Sequence, residues 1–143
     1  MSKKITAGKL IGIIFCILSA VVMCVLFVYN IYLGGQMKLI SKYFTAIERD
    51  DFDGYTVCFV SSIAEQLDEN DFMNEKNALA EKIKDNEKFK TSVTFDDRKK
   101  IGKGRYSITF DLTVYNDIEH FKLENVSMVL IRNGGKWFLE TEI

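Results

Sequence analysis

The chain has 143 residues, 48% of them hydrophobic, and a formal net charge of -1 at pH 7. That length fits about one domain, and the balanced charge excludes the electrostatic footprint of a nucleic-acid binder. Three cysteines, two of them inside one apolar run, exclude a disulfide scaffold or a cysteine-rich zinc site, and the absence of proline excludes a PxxP ligand or proline-rich linker.

Leu10 to Leu33 is a 24-residue apolar run in which Asn30 is the only strongly polar side chain. As a helix it spans about 36 Å, enough to cross a hydrocarbon core of about 30 Å with some tilt. The run is too long for the apolar region of a cleaved signal peptide, and Ser19-Ala20 lies in its middle rather than at its end. Neither Cys16 nor Cys24 follows the small residues that a lipoprotein site requires. The sequence therefore implies an uncleaved single-pass anchor, with 1–9 as a tail, 10–33 as the membrane helix and 34–143 outside.

Lys3, Lys4 and Lys9 lie close together before the run, and Lys38, Lys42 and Arg49 follow it. The compact N-side cluster orients the N-terminus to the cytoplasm and the remainder to the extracytoplasmic side. Gly8 and Gly12 have small-xxx-small spacing, which would admit weak homo-oligomerisation. Tyr29 and Tyr32 suit an interfacial aromatic belt. The part beyond residue 33 carries 16 basic and 20 acidic residues, and its net of -4 argues against docking on anionic lipid.

Gly34-Gly35 is expected to interrupt the anchor. Met37, Ile40, Phe44 and Ile47 then recur at helical spacing on one face, with Lys38, Lys42 and Glu48 turned away. The segment Asp50 to Gly54 reads as a helix end and turn. It fails as a calcium loop, because Arg49 and Val60 would occupy the first and twelfth ligand positions. Tyr55 to Ile63 fits either a helix or a strand. Leu67 to Asn70 reads as a turn, and Asp71 as the cap of a helix whose stripe is Phe72, Leu79 and Ile83, with its charged residues facing water.

From Phe89 the period shortens to two. Val93 and Phe95 begin a strand, and Lys100 to Arg105 forms a hairpin turn that lacks the spacing of a phosphate loop. Tyr106, Ile108, Phe110, Leu112 and Val114 alternate with polar residues in the clearest strand. Asn116-Asp117 marks a turn. The apolar parity flips between Leu123 and Val126, which implies a bulge. Asn133-Gly134-Gly135 is a hairpin signal leading into a last strand, Trp137 to Leu139. Helices followed by a meander of about four antiparallel strands give an α+β class.

The order of these elements, with Ala46 to Phe52 closing the first helix and the hairpin Val129 to Leu139 closing the chain, resembles the nuclear-transport-factor-two-like superfamily over about residues 36–143. The resemblance implies a cone, a bent sheet wrapped on helices with an open cavity at its wide end. Members range from enzymes to non-catalytic modules, so function does not follow from fold. The candidate cavity or ligand contacts are Tyr55, Tyr106, Asp111 and Trp137, with Asp111 on the opposite sheet face from Tyr106. His120 falls at an exposed strand start, and Cys58, between Val57 and Phe59, reads as a buried thiol. No catalytic, cofactor or metal residue is assigned, and no cofactor is expected. The leading reading is a membrane-anchored extracytoplasmic binding or scaffold module. The alternatives are a secretion or conjugation subunit and a small cavity-based enzyme.

Overall fold

A computed structural model describes residues 6–83 and 88–140, with residues 29–33 described in backbone only. Lys3 and Lys4, and the side chains of Tyr29 and Tyr32, lie outside the described part. The chain divides into two units, Met1–Gly35 and Gln36–Ile143.

Ala7–Val28 is long and apolar enough to cross a membrane, and every one of its side chains is exposed. It begins the helix α1, Ala7–Glu48. Gly34-Gly35 falls within α1, so the pair does not break the helix as its sequence implies. A mid-helix glycine costs only about 1 kcal/mol against alanine. Termination needs a residue that leaves helical dihedrals, and that residue is Asp50, at φ 58°. The amides of Asp51 and Asp50 reach back to the carbonyls of Ala46 and Ile47, at 2.9 and 3.4 Å. This is the double hydrogen bond of a Schellman end.

The second unit packs the last turns of α1 and three short helices on a sheet. These are α2 (Phe52–Thr56), α3 (Ser61–Ala64) and α4 (Glu69–Ala80). Asp51 caps α2, accepting from Gly54 N at 2.9 Å. The expected turn at Asp50 to Gly54 is thus a turn of two residues and the start of a helix. Asp68, not Asp71, caps α4. Asp68 and Asp71 form a reciprocal capping box, their side chains each bonding the other's backbone N–H. That places Glu69 and Asn70 in the helix rather than in a turn. The Tyr55–Ile63 region divides between helix and strand. Cys58 to Val60 runs parallel to the last strand, through Leu139 N to Cys58 O at 2.7 Å and Val60 N to Leu139 O at 3.2 Å.

The sheet is an open antiparallel meander, β1 (Lys90–Gly102), β2 (Arg105–Tyr115), β3 (His120–Asn133) and β4 (Lys136–Leu139), in sequence order. The expected bulge is present: Phe110 pairs with Val126 and Leu112 with Leu123, so β3 carries the extra residue. Asn125 there adopts φ 56°, within reach of an Asn. A further bulge, between Phe95 and Asp97, has no signal in the apolar pattern. Gly134 and Gly135 both have positive φ, as a two-residue type I′ hairpin requires.

The core lies on one face of the sheet. Ile108, Phe110, Leu112 and Val114 of β2 meet Ile40, Phe44 and Ile47 of α1, with the rings of Phe44 and Phe110 5.9 Å apart, edge to face. Both rings are at most 1% exposed, and truncating a buried phenylalanine removes transfer energy and leaves a cavity. Phe110→Ala is expected to cost about 3–5 kcal/mol, read as a lowered melting temperature by circular dichroism.

Candidate functional site

Three helices converge on one carboxylate. Glu75 is on α4, three residues after the buried Phe72 and four before Leu79, so it shares the apolar stripe of that helix. The expectation that the charged residues of this helix face water therefore fails at Glu75. Tyr43 of α1 and Tyr55 of α2 are both fully buried. The Tyr55 hydroxyl donates to Glu75 Oε1 at 2.9 Å and the Tyr43 hydroxyl donates to Oε2. Each carboxylate oxygen thus receives a phenolic donor, and each buried phenol finds an acceptor.

The rings that carry these hydroxyls fill the interior. Tyr43, Tyr55, Phe59, Phe72 and Phe52 pack at centroid distances from 5.1 to 6.3 Å in mostly edge-to-face arrangements. A cleft beside them, lined by Tyr43, Phe44, Ile47, Glu75, Ala78 and Leu79, measures about 110 Å³. A drug-sized ligand takes roughly 300–1,000 Å³. Aromatic side chains from α1, α2 and α4 thus pack the helix layer around Glu75.

A larger concavity of about 590 Å³ lies at the C-terminal end of α1, where Arg49, Lys76, Lys88 and Lys90 face Glu48, Asp50 and Asp117. Its charges are mixed, four cations against three carboxylates. Lys76 pairs with Asp50, and Glu48 accepts from Thr91 N and Oγ1 at 2.8 and 2.9 Å, which ties α1 to β1. Glu48 is therefore only partly turned to solvent.

The residues selected from the sequence fall in three places. Tyr55 belongs to the Glu75 cluster. Tyr106 and Trp137 come together at the hairpin end of the sheet, rings 5.6 Å apart, with the Arg98 guanidinium 4.0 Å over Tyr106 and Arg132 5.8 Å over Trp137. Asp111 lies on the opposite face from Tyr106. It pairs with Lys122 at 3.0 Å and accepts from Asn125 N at 3.2 Å, and the Lys122 hydrogen bond holds its carboxyl below the usual range. Tyr43 and Glu75 escaped the sequence reading. The spacing 72–75–79 was their available signal, but a glutamate on an apolar stripe becomes legible only once its hydroxyl partners are known.

His120 is exposed at the start of β3. Cys58 is fully buried, its thiol donating to Gly54 O at 3.3 Å, and burial pushes it up to about 11. Among the described residues no cluster of three or more His, Cys, Asp or Glu could hold a metal ion.

The elements define an α+β domain with helices on one face of a four-stranded antiparallel meander. Similar solved structures include an NTF-2 like protein of unknown function from Shewanella oneidensis, at 12% identity and TM-score 0.47, covering 75% of this chain and 93% of that one. A protein of unknown function with a cystatin-like fold from Nostoc punctiforme has 14% identity and TM-score 0.47, over 73% and 83%. A function-unknown protein from Mycobacterium tuberculosis has 14% identity and TM-score 0.48, over 80% and 70%. No family model and no curated protein matches the chain.

Removing the shared acceptor strands two buried donors, and such a loss costs about 1–3 kcal/mol per group. Glu75→Ala is expected to lower the denaturant midpoint by more than Tyr43→Phe or Tyr55→Phe alone, and a double-mutant cycle with Tyr55→Phe should show coupling of at least about 0.5 kcal/mol. For Cys58 the folded thiol ionises later than the unfolded one, so the stability it contributes is intact below about pH 9 and is lost as pH rises toward 11. In a chain carrying Cys16→Ser and Cys24→Ser, alkylation by iodoacetamide at pH 8 should run about a hundredfold slower folded than in denaturant, as quenched time points would record.

Proposed function

We propose that this chain is a membrane-anchored extracytoplasmic binding or scaffold module that recognises its partner with the outside of the domain. The observation that carries the reading is the mixed-charge concavity of about 590 Å³ at the end of α1. The Glu75 carboxylate and its two phenols are engaged with one another, and the cleft beside them is about 110 Å³. The roomy concavity is instead an open surface groove with both signs of charge, which suits a polypeptide carrying charges of its own better than a small apolar molecule. The anchor is residues 10–33, with the N-terminus cytoplasmic. The apolar stretch Ala7–Val28 is long enough to cross a bilayer and its side chains are exposed, which supports burial in lipid. Fixing the domain at a membrane raises its effective concentration near membrane assemblies.

Expression of the full chain with a C-terminal alkaline phosphatase tests the reading. The expected result is activity outside the cytoplasm, from a full-length product that stays in the membrane pellet after alkaline carbonate washing. A shortened product in the soluble fraction, or an inactive reporter, would reject the anchor. A photo-crosslinker replacing Lys90 in the groove should yield a discrete protein adduct in native membranes, and uniform absence of adducts there would reject the groove as the contact.

A further inference from the structure

The fold brings seven of the domain's sixteen basic residues to one end of the sheet. The β1–β2 and β3–β4 hairpins are neighbours: Arg105 pairs with Ile131, and Arg132 N donates to Gly104 O at 2.8 Å. Residues 97–105 and 132–140 together hold seven cations and only two carboxylates, Asp97 and Glu140. Glu140 is already engaged by Arg105 Nε at 2.7 Å. The rest of the sequence beyond residue 33 carries nine basic and eighteen acidic residues. The net of -4 is an average over a strongly segregated distribution, so the argument from it against anionic lipid does not hold for this end.

The apolar content of the same end is specific. Lys100 pairs with Tyr106 and Gly102 with Arg105, so Ile101 is a bulged residue with nothing opposite it. It is 43% exposed, between exposed Lys99, Lys100 and Lys103. At the same end of the sheet Tyr106 and Trp137 stand edge to face, with Arg98 over Tyr106 and Arg132 over Trp137. An apolar tip inside a ring of lysines, backed by amphipathic aromatics, is the composition that settles at the headgroup level of a bilayer.

We propose that this double-hairpin end docks on anionic lipid headgroups, with Lys99, Lys100, Lys103, Arg132 and Lys136 meeting the phosphates and Ile101 entering the interface. The occupant is a lipid surface rather than a soluble polyanion because of the exposed isoleucine, which a polyanion would leave unused, and because the chain also carries a membrane-length apolar helix. This inference rests on the anchored reading above.

The test uses the full chain with Cys16→Ser, Cys24→Ser and Ile101→Cys, labelled at position 101 with an environment-sensitive NBD dye and reconstituted into vesicles. Phosphatidylcholine vesicles are compared with vesicles of equal parts phosphatidylcholine and phosphatidylglycerol. The expected result is a blue-shifted emission, quenched by headgroup spin-labelled lipid, only in the phosphatidylglycerol vesicles and reversed by high salt. Each lysine near an anionic surface contributes about fivefold, so Lys99→Glu, Lys100→Glu and Lys103→Glu together should lower the docked-to-undocked ratio on the order of a hundredfold. A label that stays in water in both vesicles, shifts equally in both, or responds to heparin but not to vesicles overturns the proposal. The salt titration needs no variant beyond the labelled chain, so misfolding of the charge-reversed form cannot mask the outcome. Flotation of the chain with both vesicle types reports the anchor separately, so loss of flotation and loss of the dye shift point to different failures.

Discussion

Two adjacent residues, Tyr43 and Phe44, organise the domain. They are fixed on neighbouring positions of α1 and stand edge to face, 5.0 Å apart. Phe44 meets Phe110 in the middle of the sheet. Tyr43 meets Tyr55 and Phe59 on the other side and bonds Glu75 of α4. One turn of one helix therefore holds both layers, sheet and short helices. A helix as short as α2 has too few hydrogen bonds to persist alone, so it depends on this packing through Tyr55 and on its Asp51 cap.

A carboxylate with two tyrosine donors has the ingredients of acid–base chemistry, but here both phenols are buried and both carboxylate oxygens accept from them. What the cluster does is join α1, α2 and α4. The outer surface displays two other features, the mixed-charge groove at the end of α1 and the cationic, aromatic end formed by the two hairpins. The second of these exists only because two segments about thirty residues apart in sequence are brought side by side by the β2–β3 pairing.

Much of the fold was legible. The parity of Tyr106 to Val114 located β2 and its inner face, and the flip between Leu123 and Val126 located the bulge. Asn133-Gly134-Gly135 located the last hairpin, because only residues tolerant of positive φ fit its turn. Local boundaries were less so. Asp71 looked like a cap because any acid before an apolar residue does. The capping box assigns that role to Asp68, and which aspartate wins depends on where the stripe of α4 must face. The site was barely legible. Tyr55 was selected as a candidate, but its partners Tyr43 and Glu75 lie 12 and 20 residues away, on other helices.

By itself the sequence determined what depends on neighbours along the chain: the 24-residue apolar run, the alternation of the strands, the glycine turns and the α+β order. These follow from periodicity and from dihedral limits, which act over a few residues. Only the tertiary structure decided that Glu75 meets two buried phenols and that seven cations share one end of a domain with net charge -4. Burial and electrostatic fields are sums over groups close in space, and their partners come from four helices and four strands that composition and spacing do not bring together.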